Sequence, residues 1–315
     1  MSTSFEYARF PGQVIAAPPC RMLNANMYGF FVQGDVNKIQ SYVDQTLNQV
    51  KSDAVSFKAL SSYCMLTFTD IENIKPTAEP FCNQGWFQET DIIIWLPVAQ
   101  MKNNKIDHIY WYPAFICVNN IYALVNGREI WGFNKYLCDY QMPAIGGAPD
   151  FFNITVDAFK TFSPDTKMAP CELFNVKLVE KHSEKKLSGF IELVKEGFDI
   201  LKDHPNFFNF DINVLKQMIS GLFHPQIDQL LFKQFPDGTA TNALYQAVCH
   251  SPSVIQKIHD INLYFHEFEF TLNQVDMFPL EEMFGIKVGS QTPLLPFNVL
   301  FDFNQDEAIT IIENK

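Results

Sequence analysis

One segment concentrates the residue types that can do covalent chemistry. Asn126-Gly127-Arg128-Glu129-Ile130-Trp131-Gly132-Phe133-Asn134-Lys135 follows an apolar run and opens with a turn dipeptide. If the chain is extended after that turn, Glu129, Trp131, Phe133, Lys135 and Leu137 project to one face. A lysine that shares a face with two aromatic rings is partly removed from water. Desolvation disfavours the ammonium form and lowers the pKa, and a neutral amine is a nucleophile toward a carbonyl carbon. The same pattern fits a lysine that lays its alkyl stem on the rings and keeps its charge in water. Periodicity leaves both readings open. Arg128 and Glu129 also have two readings: an ion pair that holds the turn, or two groups that reach a pocket.

Other candidate motifs carry less. No GxGxxG, GxxxxGK[ST] or GxSxG is present, which removes the common nucleotide and nucleophile-elbow signatures. The seven histidines are dispersed and HExxH does not occur. His266 and Glu267 alternate to opposite faces of an extended run, so His266 reads as part of an aromatic face with Tyr264, Phe268 and Phe270 rather than as a metal ligand. Asp302, Asn304, Asp306 and Glu313 have the spacing of an EF-hand loop, but Glu307 stands where that loop needs glycine. This stretch is expected to be a solvated acidic tail, and no metal is expected.

The elements that would position Lys135 are mostly strands. Asn26 to Gln33 reads as a strand closed by Gly34-Asp35. Val36, Ile39, Val43, Leu47 and Val50 then fall on one helical face behind Asp35 as N-cap. Tyr63–Thr69, Asp91–Val98, His108–Tyr112, Phe115–Val125 and Phe152–Phe159 are short, rich in β-branched or aromatic residues, and separated by Gly, Pro, Asn and Asp. From residue 183 to 232 the period changes. Leu187, Phe190, Ile191, Val194, Phe198 and Leu201 form one helical stripe, and Val214 to Phe223 a second. Pro225 opens a short third segment through Leu231. Strands return at Tyr245–Val248, Ile261–Leu272 and Phe297–Phe303. The order predicts an α+β fold: one domain, a strongly curved antiparallel or mixed sheet, barrel-like, with a helical insertion at 183–232. Two domains split near residue 182 is the alternative.

Composition bounds the function class. With 47% apolar and 18% charged residues, the 315-residue chain can bury a sizeable core. Its 31 phenylalanines suggest aromatic strand faces or a ring-lined pocket. A net charge of −12, with no basic stripe to offset it, disfavours nucleic acid and anionic membranes as partners. Seven cysteines without CxxC spacing read as reduced, mostly buried thiols. No signal peptide and no apolar run of spanning length is visible, so a cytoplasmic location is expected.

Gly127-Arg128-Glu129-Ile130 followed by Gly132-Phe133-Asn134-Lys135 resembles the acetoacetate decarboxylase signature, in which Gly-Arg-Glu and a short spacer precede a reactive lysine. Trp86-Phe-Gln-Glu89-Thr is similar to the family segment that carries an active-site glutamate. Phe232-Lys-Gln-Phe-Pro-Asp-Gly238 is similar to the segment that opens the C-terminal half of the sheet. The resemblance implies a curved sheet around an apolar pocket, a homo-oligomer, and decarboxylation of a small or hydrophobic β-keto acid without metal or organic cofactor. By position Lys135 is the Schiff-base residue and Glu89 the acid/base or orienting carboxylate. Trp131, Phe133 and Tyr136 are expected at the substrate pocket, with Arg128 and Glu129 nearby. The family's second lysine is Tyr136 here, its pocket arginine falls at Ala25 and a second glutamate near Cys64. Burial alone is then left to activate Lys135, through a shift that reaches roughly 3–5 units for a fully buried group. The same iminium supports aldol or dehydration chemistry, and a non-catalytic small-molecule-binding protein is the reading from outside enzymology.

Overall fold

The computed structural model describes residues 6–8, 16–201 and 226–314. In chain order β1 (Cys20–Gln33) and α1 (Val36–Gln45) precede β2 (Val55–Ala59), β3 (Tyr63–Pro76), β4 (Phe87–Lys102) and β5 (Lys105–Val118). Helix α2 (Ile121–Asn126) leads to β6 (Lys135–Leu137), β7 (Asp139–Gln141), β8 (Phe151–Ala158), β9 (Ala169–Glu180) and β10 (Glu184–Lys186). After α3 (Phe190–Leu201) come β11 (Gln226–Pro236), β12 (Ala243–Tyr264), β13 (Glu267–Leu272), β14 (Gly289–Gln291), β15 (Leu294–Gln305) and β16 (Ile309–Asn314).

Seven strands pair in a closed ring: β4, β3, β1, β15, β12, β11 and β5, with β5 pairing back onto β4. A second sheet, in the order β14-β13-β9-β8-β7, packs on one outer side. Strands between these two spaces are buried on both faces, which is why they read as continuous apolar runs rather than alternating ones. On β4, Glu89, Asp91, Ile93 and Trp95 face the interior of the ring. Ile92, Ile94 and Leu96 face the core shared with the second sheet. Phenylalanine fills that core. Phe30 meets Phe152 and Phe268 edge-on, each at 5.3 Å between centroids, and Phe68 meets Phe152 at 5.2 Å. These separations lie in the favoured range of roughly 4.5–7 Å for aromatic pairs. His266 joins the same face, 5.2 Å from Tyr264 and 6.2 Å from Phe268, as alternation implied.

Helix α1 forms behind Asp35 as the apolar spacing predicts but ends at Gln45, so Leu47 lies in a 3₁₀ turn beyond it and Val50 closes that turn. Ile39, Val43 and Leu47 are fully buried and Val50 nearly so. Asp35 caps it, with Oδ1 accepting from the Asn37 and Lys38 amides at 2.8 and 3.1 Å.

Several expected elements differ. The strand expected over Phe115–Val125 ends at Val118, and Ile121–Asn126 is helical. Asn120 is the cause: its Oδ1 accepts from the Tyr122 and Ala123 amides and starts a helix. The segment expected as a third helical piece through Leu231 is β11, whose Leu230 and Leu231 are buried on opposite sides of the ring wall. The stretch 183–232 therefore begins and ends in sheet strands, and α3 lies between them against β12 and β15. The stripe from Val214 to Phe223 lies outside the described residues. The acidic C-terminal stretch is not a solvated tail. It forms the end of β15 and β16, and Asp302 is held by His259 at 3.0 Å and by the Asn24 amide at 2.9 Å. The cysteines are all free, and five of the seven are buried. Among the described residues no helix is long and apolar enough to cross a membrane.

Asp35→Ala removes two bonds to the otherwise unsatisfied first turn of α1. We expect a loss of about 1 kcal/mol, read as a lower denaturant midpoint with an unchanged m-value.

Candidate active site

The interior of the ring holds a cavity of about 110 Å³. A single water needs roughly 10–15 Å³ by the same measure, so a small organic molecule fits. Its walls are mostly apolar, with one charged group of residues and a few neutral polar ones. Lys135 starts β6, which pairs parallel with β5 at Ile116↔Lys135, and its side chain enters the ring beside Glu89 and Asp91 of β4. The Lys135 ammonium donates a short hydrogen bond to Glu89 Oε1 and lies 3.2 Å from Asp91 Oδ1. The Phe133 ring centroid is 5.4 Å from the same nitrogen, within cation–π reach. The Lys135 side chain is 8% exposed, that of Glu89 6% and that of Asp91 17%.

The local fold explains the Gly-Arg-Glu motif. Residues Gly127–Trp131 do not extend from a turn, as the sequence suggested. They continue α2 as a single π-type turn, with the Gly132 amide donating to the Gly127 carbonyl at 2.9 Å. Such turns recur at functional sites because they re-aim the chain that follows. Gly132 ends the turn with φ +98°, where a side chain is strained and would also strike Lys233 Cβ at 2.6 Å. Gly127 is required for a different reason. Its backbone is ordinary helix, but a Cβ there would sit 2.8 Å from Lys135 Cδ and 2.9 Å from Cε. The lysine stem lies directly on the helix at that point. Arg128 is exposed and donates from Nη1 to Asn134 Oδ1 (3.1 Å) and to the Lys135 carbonyl (3.2 Å), which pins the backbone at Lys135. It forms no ion pair with Glu129 among the described residues. Glu129 is exposed and accepts from the Tyr7 hydroxyl at 3.1 Å.

The charge environment reverses one sequence expectation. Burial alone pushes the Lys135 amine down, but the Asp91 and Glu89 charges outweigh it, so the ammonium is held above its ordinary value. Burial pushes the Glu89 carboxyl up to about 8; the Asp91 charge adds to this, and Lys135 offsets part of it. The resting site is thus a protonated amine between two acids, not a desolvated neutral amine. Glu89 is protonated below about pH 8 and able to accept a proton above it.

Of the residues expected at the pocket, Lys135, Glu89, Trp131 and Phe133 line the cavity. Trp131 is fixed by its indole N–H, which donates to the Asp306 carbonyl at 2.8 Å. Tyr136, Arg128 and Glu129 lie outside the lining. Strand alternation sends Tyr136 to the opposite face from Lys135, where it stacks on Phe115 at 5.7 Å and meets Phe278 edge-on at 5.1 Å. Ala25 is fully buried among the apolar residues of the ring interior, and Cys64 belongs to the outer core. The sequence reading missed Asp91, although the signal was present: Glu89-Thr90-Asp91 puts two carboxylates on one face of an apolar strand. It also missed Gln229, Ser253 and Gln305, which line the cavity and bond to one another. No local pattern marks these, because three distant strands supply them.

Gly127→Ala should push Lys135 out of its seat. We expect a loss of about 1–3 kcal/mol, measured by denaturant unfolding. In a Lys135→Ala background the same change should be neutral or stabilising, since alanine is the better helix former. A cycle with no coupling between the two positions would contradict this contact.

A model of the acetoacetate decarboxylase (ADC) family matches residues 8–188. No curated protein matches the chain. Among solved structures, acetoacetate decarboxylase from Legionella pneumophila subsp. pneumophila str. Philadelphia 1 is similar at TM-score 0.61 and 12% identity, over 99% of this chain and 94% of that one. An acetoacetate decarboxylase-like enzyme from Sphingomonas wittichii RW1 is similar at TM-score 0.56 and 12% identity, over 95% of both chains. The enduracididine biosynthesis enzyme MppR, complexed with the condensation product of pyruvate and imidazole 4-carboxaldehyde, is similar at TM-score 0.55 and 8% identity, over 96% and 92%. At these identities the structures speak to the fold, which is that of acetoacetate decarboxylase. With the family model covering more than half of the sequence and the lysine motif seated in the ring, the chain belongs to the acetoacetate decarboxylase family.

Proposed function

We propose that this protein is an imine-forming carbon–carbon lyase in which Lys135 condenses with a small carbonyl compound and Glu89 handles the proton. The observation that carries this reading is the buried Lys135 amine, held against Glu89 in a cavity that is otherwise mostly apolar. A lysine placed there without a covalent role would be a costly way to fill the interior of a ring, since burying an ion pair seldom stabilises a fold.

The steps follow from the proton inventory. Nζ gives a proton to Glu89, and its freed lone pair attacks the carbonyl carbon. The carbinolamine loses its oxygen as water and leaves an iminium on Lys135. The iminium draws the electron pair of a neighbouring carbon–carbon bond into an enamine. If that bond leads to a carboxylate, CO₂ departs, which is the reaction that the family resemblance implies for a β-keto acid. If it leads to a hydroxyl-bearing carbon, the hydroxyl proton passes to a carboxylate and a carbonyl compound departs, which is aldol cleavage. In either case a proton adds to the enamine carbon, and water releases the ketone and restores the amine. MppR is described with a condensation product of pyruvate and an aldehyde, which supports the aldol outcome as the second reading on this scaffold.

Borohydride reduction with a panel of keto acids and ketones tests the shared step. Lys135 should carry the adduct by peptide mass, and Lys135→Ala should carry none. Adducts on several surface lysines, or none across the panel, would leave a non-catalytic binding protein. Release of CO₂ separates the two outcomes. Glu89→Gln should slow trapping by about 10²–10⁴-fold, the usual worth of a positioned acid/base.

The rate of trapping should rise with pH through about 8, as Glu89 loses its proton and can accept one from Nζ. In Glu89→Gln that limb should vanish. A wild-type profile that is flat between pH 6 and 9 would refute the role given to Glu89.

A further inference from the structure

The charges around Lys135 say which carbonyl compounds the cavity accepts. Lys135 is the one cationic residue among the described residues that line it. That single positive charge already faces two carboxyl groups, with Glu89 hydrogen-bonded to it and Asp91 Oδ1 at 3.2 Å. When the amine becomes an iminium, the positive charge stays on the same nitrogen and keeps the same neighbours. Arg128, the nearest cation in the sequence, is turned outward to Asn134 and the Lys135 carbonyl. Ala25, fully buried in the ring interior, adds no charge.

Apart from the Thr69 hydroxyl and Asn126, whose Nδ2 donates to the Tyr122 carbonyl at 2.8 Å, the remaining polar wall is a closed cluster. Gln229 Nε2 donates to Ser253 Oγ and to Gln305 Oε1, and Ser253 Oγ donates to the same Gln305 oxygen at 2.6 Å. Gln305 Nε2 in turn donates to Ser251 Oγ at 2.6 Å. The amide and hydroxyl donors of this cluster are directed at one another. Gln229 Oε1 receives no hydrogen bond from the described residues, so the open group on this wall is an acceptor. A carboxylate needs donors or a cation when it leaves water.

We propose that Asp91 is a specificity-determining residue that makes the cavity select uncharged carbonyl compounds and reject those with a carboxylate next to the reacting carbonyl. The inference rests on the imine reading and deepens it by naming the substrate class, which favours cleavage of an uncharged compound over loss of CO₂. A carboxylate held near the imine carbon shares the cavity with Asp91, whose charge opposes it. An uncharged ketone or aldehyde meets apolar walls and, at Gln229, an acceptor for a hydroxyl.

Two probes of the same size and shape test this. 2,4-Pentanedione and acetoacetate differ by a methyl group in place of a charged oxygen. The protein is incubated with each at pH 8 and treated with borohydride, and the Lys135 adduct is counted by peptide mass as the reduced amine or, for 2,4-pentanedione, as the enaminone that borohydride leaves intact, including the acetone adduct that acetoacetate leaves if it loses CO₂. Relative to the rates on a free lysine amine, we expect labelling by 2,4-pentanedione to be at least tenfold faster. Asp91→Asn, with its fold checked by thermal melting, should shrink that ratio threefold or more by raising labelling with acetoacetate. Equal labelling of the wild type by both probes would overturn the selectivity and leave the imine reading standing. The wild-type ratio needs no variant, so a misfolded Asp91→Asn does not protect the proposal. An unmoved ratio in a folded Asp91→Asn would remove Asp91 as its cause. Labelling of Lys135 by neither probe would defeat the imine reading and this inference together.

Discussion

A lysine amine buried between two carboxylates is the constraint around which the rest of this protein is arranged. A charge in an apolar interior is tolerated only when partners of opposite sign are fixed at short range. Here the partners and the amine come from different strands. Glu89 and Asp91 are two residues apart on β4, so their carboxyls share one face, and Lys135 reaches that face from β6. Each piece of the surrounding structure serves this placement. The π-type turn re-aims the chain after α2, Gly132 ends it, Gly127 leaves room for the lysine stem, and Arg128 holds the Lys135 carbonyl from outside.

The same arrangement changes how the amine is to be activated. A desolvated lysine without partners is driven toward the neutral form, but one between two acids is driven the other way. On the proposed reading, the nucleophile is generated by moving a proton within the site. Burial raises Glu89 into the range where it can exchange that proton near neutral pH. The chain therefore differs in its electrostatics from a site in which a second cation adjoins the lysine, although its fold is that of the acetoacetate decarboxylase family.

The architecture that supports the site rests on strands buried on both faces. One face of β4 builds the cavity and the other packs against the phenylalanine-rich second sheet. That double duty accounts for the aromatic composition and for runs such as Ile92-Ile93-Ile94, in which Ile93 faces inward and its neighbours outward.

Much of this was legible from the residues themselves. The Gly-Arg-Glu spacing to Lys135, the glutamate in Trp86-Phe-Gln-Glu89, the Asp35 cap and the helix behind it, and most strand cores follow from local patterns, because they depend on side chains a few positions apart. Local pattern was misleading where a cap or a closing strand decided the outcome. Asn120 turned an apolar strand-like run into a helix, and pairing with β12 made a strand of Gln226–Pro236. Some features had no local signature. The join of β5 to both β4 and β11 closes the ring, the pairing of β12 with β11 and β15 brings Gln229, Ser253 and Gln305 together, and β6 beside β5 turns Tyr136 away from the cavity. The sequence by itself determined which amine could react. Only the tertiary structure decided the charges that amine would meet, because the electrostatic field at a buried atom is set by groups far apart along the chain.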